Sequence, residues 1–401
     1  MQGILFYLVD FPKIIDNWVY NLIDFWLAIS LENCMIAHHN FVYYFSNMNI
    51  GYHHPALDTV NAYRVIYLGY KNAFEDMWHE FHTYTAGMDL DKFLSESQID
   101  IFFTMSHFFY RKQLDYAILR KYRDQWLKVF TKIDFWNSPM QDTGRSNEAR
   151  SMSNDRDVLA LMDHDLLGDY YYHVVEQWDE RMSWFEQHTW KHYHTIPLCA
   201  DKILLHGSYD SSYDADISFI GTYLQDKRQH ISQWIRPLQS HYNVKLYGKD
   251  WTWLDRRFGD IQRIWQYFNI PYLRSIRKAV TAENHIYGST KICINIHEEY
   301  QKKYGWDCND RTFRTLACGA FQITDDVACI HKYLEDGKEI VIAKDKQDWF
   351  EKINYYMHHP EQRAMIAQAG KDRVLKDHTY HNRVQQILDI YHKNHVSQDK
   401  I

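Results

Sequence analysis

Short runs of β-branched and aromatic residues alternate along the chain with longer segments in which apolar residues recur at helical spacing. This alternation is typical of a parallel sheet covered by helices. In the first half the predicted strands are residues 4–9, 64–68, 99–103, 127–131 and 202–206. In the second half they are residues 217–220, 244–247, 292–294, 319–323 and 339–342. Because the alternation restarts near residue 200, we predict an α/β protein with two Rossmann-like domains.

The length of 401 residues agrees with two domains, since a single hydrophobic core stops growing below that size. We place the first domain at residues 1–200 and the second at 201–377, facing each other across a cleft. Residues 378–401 form a third segment, and its apolar positions predict an amphipathic helix that packs back on the first domain. Those positions are Val384, Ile387, Leu388 and Tyr391.

Residues 137–157 form the most polar and least periodic stretch of the chain. Such a composition predicts a mobile loop. The loop is either a lid over the cleft or a solvated surface insertion, and the sequence leaves both open.

Charge and cysteine content narrow the functional classes. The net charge of −7 offers no broad attraction to a nucleic-acid backbone, although a local basic groove stays possible. The six cysteines contain no CxxC pair, which favours reduced thiols in a cytoplasm. The amino terminus has no signal-peptide pattern and no early segment is long enough to span a bilayer, so we predict a cytoplasmic protein with at most peripheral membrane contact. None of the His-rich stretches has metal-ligand spacing, and we predict no metal site.

The end of the strand predicted at 217–220 offers a first candidate site. Gly221 follows this strand, and a glycine there lets backbone amides approach a phosphate. Thr222 is its neighbour, and Arg228 lies one to two helical turns further, where it can meet an anion. A structural turn would use the same glycine, so this corner alone does not decide between the two.

A second candidate lies between Cys308 and Asp326, where a predicted helix runs into a strand. Asn309 is a good N-cap and Arg311 falls in the first turn, so the turn from Asn309 to Phe313, which includes Thr312, can hold a diphosphate. Gly319 permits a tight passage into the strand. A plain helix-to-strand connection is the alternative.

The strand predicted at 292–294 delivers Asn295 and His297 to the same crevice. Buried polar groups at a strand end usually have partners, so Asn295 is either structural or a ligand contact. His297 lies beyond the strand, which favours a functional role.

Six segments of the second half match a known family in order. They are residues 216–228, 244–251, 287–297, 309–325, 334–345 and 355–384. On these segments the chain resembles the CgeB-like, spore-maturation-type glycosyltransferases, which are relatives of the retaining GT-B group. The first half is less distinctive and is similar to the family only at residues 130–136 and 194–201.

The resemblance implies GT-B architecture, with a nucleotide-sugar donor in the second domain, the acceptor mainly on the first, and catalysis in the cleft between them. It implies no essential metal and no cofactor, and we expect a UDP-linked sugar moved to a glycan, lipid-linked or protein acceptor. Position by position, Gly221 and Arg228 would face the diphosphate and Tyr247 and Gly248 the base. The full donor-binding set that we predict is Gly221, Thr222, Arg228, Tyr247, Gly248, Asn295, Asn309, Arg311, Thr312, Phe313, Arg314 and Gly319.

One position departs from the family pattern. Where the family usually has a glutamate that looks like a ribose-hydroxyl acceptor, this chain has Arg314. A cation cannot accept those hydrogen bonds. The nucleotide is then held differently, the donor carries an extra anionic group, or the activity is reduced.

Acceptor activation has several candidates. Asp134 and His107 follow strands of the first domain, and Asp10 follows the first strand. One of these three would act as general base if the sugar configuration inverts, whereas a retaining reaction needs none. His297, in the second domain, is a further catalytic candidate. The resemblance favours retention. Asp134 is the first choice for a catalytic or acceptor-positioning carboxylate, and a strand-terminal cap is its structural alternative.

Two other functions stay open. Some phage enzymes of this fold glycosylate modified DNA bases, which would require a basic acceptor groove and an extruded base. A non-catalytic binding or assembly protein could also keep the fold, because fold does not establish chemistry.

Overall fold

The computed structural model describes residues 47–54, 62–136, 156–176, 182–224, 226–248, 257 and 281–396. Residues Met48–Ile387 form one compact unit, and Met1–Asn47 with Leu388–Ile401 form a second. The strand predicted at residues 4–9, the candidate Asp10 and nearly all of the polar stretch at 137–157 lie outside the described residues.

The first half builds a parallel six-stranded sheet in the order β2-β1-β3-β4-β5-β6. The central strand β3 is buried at all five positions, as expected of a strand covered on both faces. The strands are β1 Asn49–His53, β2 Glu80–Tyr84, β3 Ile101–Met105, β4 Lys128–Lys132, β5 Tyr170–His173 and β6 His194–Thr195.

Six helices of the first half are described. Two begin at aspartate caps: the Asp89 side chain accepts from the backbone N–H of Lys92 at 3.1 Å, and Asp115 accepts from Ala117 at 2.9 Å. The helices are α1 Ala62–Asp76, α2 Leu90–Glu96, α3 Phe108–Arg111, α4 Tyr116–Arg123, α5 Arg156–Asp163 and α6 Ser183–Thr189.

The second half builds a parallel five-stranded sheet in the order β11-β10-β9-β7-β8. Its first strand lies between its second and third, as in the first sheet, so each sheet has a point where the strand order reverses. The strands are β7 Ala215–Ile220, β8 Val244–Tyr247, β9 Thr290–Asn295, β10 Gln322–Asp325 and β11 Val341–Ala343.

The first helical segment of the second half changes helix type along its length. It starts as α7 Arg228–His230, continues as a π turn over Ile231–Ile235 and ends as a 3₁₀ turn over Arg236–Ser240. None of the described helices is both long and apolar enough to cross a bilayer. The remaining helices are α8 Thr281–Gly288, α9 Glu299–Tyr304, α10 Arg311–Ala317, α11 Ile330–Tyr333, α12 Lys346–Met357, α13 Pro360–Asp377 and α14 Tyr380–Val396.

The predicted α/β class with two parallel sheets is confirmed, although two predicted strands are wrong. Residues 64–68 belong to α1, whose buried residues Tyr67, Tyr70 and Phe74 follow helical spacing. Residues 202–204 form a turn that Asp201 caps by accepting from the backbone N–H of Ile203 at 2.9 Å, and residues 205–206 are not part of a strand. Strands β1, β2, β5 and β6 were not predicted, because they are short and carry polar or histidine side chains.

The first turns of α14 contact elements of the first half. The Tyr380 ring fills the space above Gly69, where an added Cβ would lie 2.2 Å from ring carbons. Arg383 Nε donates to the Pro197 carbonyl at 2.9 Å, and Gln386 Nε2 donates to the Thr195 carbonyl at 2.9 Å. These contacts tie the chain that follows the second sheet to the end of the first.

Candidate functional site

The strand order of the second sheet reverses between β7 and β9, and ligands of open α/β sheets bind at the carboxyl ends of such strands. Gly221 follows β7 and Gly248 follows β8. Gly248 has a φ of 125°, and a Cβ there would lie 2.2 Å from the Gly221 carbonyl oxygen. The Gly221 N–H donates to the Tyr247 carbonyl at 2.8 Å. The two backbones therefore form a tight corner that only glycine permits at position 248.

Replacing Gly248 with alanine tests this corner. We expect a loss of about 1–3 kcal/mol in the free energy of unfolding, because the new Cβ meets backbone atoms and the φ disfavours L residues. Chemical denaturation measures the loss. Gly337 also has a positive φ, at 76°, but nothing lies within 4 Å of a Cβ there, so Gly337→Ala reports the φ penalty alone. Equal losses in both variants would contradict the close packing.

Three predicted polar residues meet at the end of β9. Asn295 is almost fully buried, and its Oδ1 accepts from Asn309 Nδ2 at 3.1 Å and from Arg311 Nε at 3.2 Å. The Arg311 guanidinium also lies over the Phe219 ring, and one of its nitrogens would be 3.4 Å from a Cβ on Gly221. The structure therefore brings Gly221, Asn295, Asn309 and Arg311 together.

Lys227 joins this cluster, although it is not among the predicted site residues. Its Nζ donates to the Ile296 carbonyl at 3.1 Å, and Arg311 Nη2 donates to the same oxygen at 3.3 Å. Burial, with the nearby Arg311 charge, lowers the pKa of Lys227 to about 8. Two cations held this close are an arrangement that a bound anion stabilises.

Arg228 was predicted for this role, one residue away from Lys227. The structure leaves Arg228 exposed, with its guanidinium 5.4 Å from the centroid of the Tyr223 ring. The signal in the sequence was the basic pair at 227 and 228. Which of the two faces inward depends on where α7 begins, and the pattern alone does not determine that.

A fully buried network of hydrogen bonds holds Asn295 in place at the corner. His297 has no exposed surface; its Nδ1 lies 2.7 Å from Asp325 Oδ1 and its Nε2 lies 3.2 Å from Thr312 Oγ1. Burial opposes the charged imidazole, but the Asp325 carboxylate outweighs it and raises the pKa of His297. Thr312 Oγ1 in turn accepts from Asn295 Nδ2 at 3.2 Å. His297 and Thr312 thus position Asn295, and neither can touch a substrate in this arrangement.

Three other predicted donor residues lie away from the corner. Phe313 is fully buried in the core, with its ring against Tyr333 and His378. Gly319, with a φ of 71°, lies at the opposite end of the sheet, before β10. Arg314 is buried and pairs with two carboxylates, Glu283 and Asp310.

Tyr247 and Thr222 are partly exposed beside the corner. Tyr247 ends β8, and burial raises the pKa of its hydroxyl. Thr222 directly follows Gly221. Their placement agrees with a ligand lying over the ends of β7 and β8.

The end of the first sheet carries the other predicted candidates. His107 caps α3, accepting from the Phe109 N–H at 3.3 Å, and Asp134 follows β4, with its N–H donating to Ser106 Oγ at 2.9 Å. Burial raises the pKa of the Asp134 carboxyl, although the charges of His107, Lys132 and Arg111 oppose the shift. The structure therefore brings Asp134 and His107 to one place.

Charges of the two halves act on each other at these strand ends. Burial lowers the pKa of Lys132, at the end of β4, while Asp134 and Asp307 oppose the shift. Asp307 precedes α10, accepts from Gln301 Nε2 at 2.9 Å, and has its pKa raised to about 6 by burial. Asp307 is not among the predicted site residues, because nothing in the neighbouring sequence indicates that it is buried.

Glu176 makes a direct connection between the two halves. It follows β5, is nearly buried, and accepts from the hydroxyl of Tyr333 in α11 at 3.0 Å and from the ammonium of Lys332. The carboxyl ends of the two sheets therefore border a common crevice. Within the described ranges, no group of three or more His, Cys, Asp or Glu residues is placed to hold a metal ion.

Comparison with known proteins identifies the second half. A family model described as glycosyl transferase-like matches residues 228–389. The second half of the chain is therefore similar to glycosyl transferases. The spore protein CgeB of Bacillus subtilis is 24% identical over 182 residues, which are 43% of this chain and 52% of CgeB. The chain thus spans about half the length of this curated relative, and the resemblance to CgeB-like glycosyltransferases is confirmed.

Solved structures share the fold over most of the chain. Sucrose-phosphate synthase from Thermosynechococcus elongatus superposes with a TM-score of 0.55 at 11% identity, covering 88% of this chain and 100% of that one. Anabaena HepE in complex with UDP and glucose gives 0.52 at 12% identity, covering 86% and 100%. An α-glucosyltransferase in complex with UDP and a 13-mer DNA containing an HMU base gives 0.54 at 12% identity, covering 86% and 99%. The predicted GT-B fold is therefore confirmed.

Proposed function

We propose that this protein transfers a sugar from a nucleoside-diphosphate sugar, with UDP as the expected nucleotide, to an acceptor bound by the first half. The supporting observation is the pair of cations at the corner after β7. Lys227 and Arg311 converge on the Ile296 carbonyl beside Gly221 and Asn295. A diphosphate placed there would receive charge-assisted hydrogen bonds from both.

Leaving-group stabilisation follows from the same pair. Charge develops on the diphosphate as its bond to the sugar breaks, and preorganised cations stabilise that charge without a divalent ion. We therefore propose a metal-independent reaction, and we keep retention of the sugar configuration as the proposed outcome. Asp134, beside His107, is the proposed acceptor-positioning carboxylate, and Asp307 is a second carboxylate bordering the crevice.

An aromatic surface next to Asp134 suits an acceptor. Phe108 and Phe109 are 40% and 49% exposed, and the Lys112 ammonium lies 5.4 Å and 4.8 Å from their ring centroids. Exposed rings at the carboxyl end of a sheet can stack against a sugar ring or a base. A glycan, lipid-linked or protein acceptor is the leading proposal. A DNA base is the second, favoured by the fold shared with the DNA-bound α-glucosyltransferase.

Ligand screening and turnover test the proposal. The full chain is screened by thermal shift against UDP, ADP, GDP and their sugar conjugates. It is then assayed for release of the nucleoside diphosphate with glycans and with hydroxymethyluracil DNA as acceptors. We expect one nucleotide to stabilise the fold, by about 2.7 kcal/mol at 100 times its Kd, and turnover to survive EDTA. NMR of the new anomeric centre decides between retention and inversion. If no nucleotide binds and none is consumed, a binding or assembly role replaces the transferase.

Diphosphate binding is also expected to depend on pH through Lys227. Its pKa of about 8 in the free protein rises when an anion binds, so affinity is full below pH 8 and falls as pH rises above it. Calorimetry with UDP between pH 6.5 and 9.5, in buffers of different ionisation enthalpy, should show proton uptake near pH 8.5. The Lys227→Met variant should bind more weakly and show no such uptake. Uptake that persists in this variant would assign it to another group.

A further inference from the structure

A cavity lies at the end of the second sheet that is opposite the proposed donor site. It has a volume of about 470 Å³ and is bordered by the starts of β9 and β10 and by one face of α13. That face consists of Pro360, Arg363, Ala364, Ala367, Gln368 and Lys371, which follow helical spacing. The size is within the range of small-molecule sites.

The charged side chains of this cavity are all basic. Lys291, Arg363 and Lys371 border it together with His206, and no aspartate or glutamate does so. Lys291 pairs with Asp216 at 2.7 Å. In the described part of the chain, no carboxylate lies within ion-pair distance of Arg363 or Lys371. The cavity therefore offers uncompensated positive charge to a ligand.

Arg363 and Lys371, the two cations without a carboxylate partner in the described part of the chain, lie at different places in the cavity. Arg363 donates to the carbonyls of Tyr356 and Met357 at the end of α12, so its guanidinium is fixed at one end of the cavity. Lys371 lies two helical turns further, or roughly 12 Å along the axis. Its chain runs over Gly319, where an added Cβ would be 3.3 Å from Lys371 Cδ. Gly319 thus makes room for the lysine, which is the role that the structure gives it.

The mouth of the cavity presents an aromatic ring. Tyr209 is 68% exposed, and its hydroxyl donates to Asp214 at 3.0 Å, which holds the ring in place. Ser208 and Thr290 add hydroxyl groups nearby. A ring face with hydroxyls and cations is the combination that recognises a sugar bearing an anionic group.

This cavity is separate from the proposed donor site. Thr290 borders it at the start of β9, whereas Asn295 is at the other end of that strand, roughly 17 Å away at strand geometry. A donor held at Asn295 leaves the cavity open. We propose that it is a second ligand site, specific for a phosphorylated sugar.

Calorimetry on the full chain at low salt tests the proposal, with glucose 6-phosphate as the probe and glucose and inorganic phosphate as its two parts. We expect glucose 6-phosphate to bind at least tenfold more tightly than either part, also in the presence of saturating UDP. Lys371→Gln should weaken it about tenfold, through loss of one charge-assisted contact. Ala364→Trp should abolish it by filling the cavity with the charges unchanged.

Lys376→Gln is the matched control, because it removes the same charge from an exposed position of α13 outside the cavity. It should bind like the unchanged chain. Any of four results overturns the proposal: no binding of glucose 6-phosphate, equal binding of inorganic phosphate, equal losses in Lys371→Gln and Lys376→Gln, or displacement by UDP. Thermal unfolding of each variant shows that a loss of binding is not a loss of fold.

Discussion

Replacing Arg311 with glutamine is expected to weaken nucleoside-diphosphate binding and lower kcat/KM by about 100- to 1000-fold. The side chain reaches the Gly221 corner and shares the Ile296 carbonyl with Lys227, so it is placed to neutralise a diphosphate. Calorimetry with UDP and steady-state transfer from the donor found in the nucleotide screen measure the two losses.

The fold should tolerate this change. Asn295 Oδ1 keeps its hydrogen bond from Asn309 at 3.1 Å, and the Ile296 carbonyl keeps the one from Lys227 at 3.1 Å. No buried acceptor is left unpaired by the substitution, so the free energy of unfolding should change by less than about 1 kcal/mol.

Arg228→Gln is the control for charge alone. It removes the same positive charge from the neighbour of Lys227, but from an exposed side chain that stacks on Tyr223. Its UDP affinity should stay within about twofold of the unchanged chain. Similar losses in both variants would mean that general electrostatic attraction, rather than the corner, holds the diphosphate.

The sequence predicted two α/β halves, the five strands of the second sheet and most of the corner, because these depend on local patterns. Continuous apolar runs mark the buried strands, and glycine or amide residues mark their ends, as at Gly221 and Asn295. The strands that escaped prediction carry side chains that local pattern assigns elsewhere. In β2, for example, Glu80, His82 and Thr83 interrupt the apolar pattern of a strand that is not fully buried.

The local sequence pattern does not predict which polar side chains face the crevice and which are buried. Whether Lys227 or Arg228 turns inward depends on the exact start of α7, and whether His297 meets substrate depends on Asp325 and Thr312, which are distant in sequence. Asp307 is buried, accepts a hydrogen bond from Gln301, and acts electrostatically on Lys132 of the first half. These features arise from tertiary packing.

The role of Arg314 also depends on tertiary packing that the local sequence does not reveal. Replacing it has the largest expected effect on the free energy of unfolding. Its guanidinium is buried and pairs with Glu283 of α8 and with Asp310, 3.0 Å away. Both of these carboxylates form ion pairs with Arg314. The arginine is therefore unavailable for an extra anionic group on a donor. Of the three explanations for its departure from the family pattern, a different mode of holding the nucleotide is the one that this geometry favours.

Arg314→Met is expected to lower the free energy of unfolding by about 3–5 kcal/mol at neutral pH, because it removes the cation that pairs directly with both buried carboxylates and leaves them only the more distant charge of Arg311. The double variant Arg314→Met with Glu283→Gln should recover part of that loss, since it removes one of the unpaired charges. Urea denaturation measures both.

The loss should also depend on pH. Burial raises the pKa of Glu283 even while Arg314 opposes the shift, so without the arginine the folded-state pKa rises further above the unfolded value. A carboxyl with a raised folded-state pKa destabilises the fold when ionised, and the penalty disappears as pH falls below that pKa. Arg314→Met should therefore approach the stability of the unchanged chain at pH 5 and fall away from it at pH 8. A loss that is the same at both pH values would show that packing, and not the unpaired carboxylates, is what the arginine supplies.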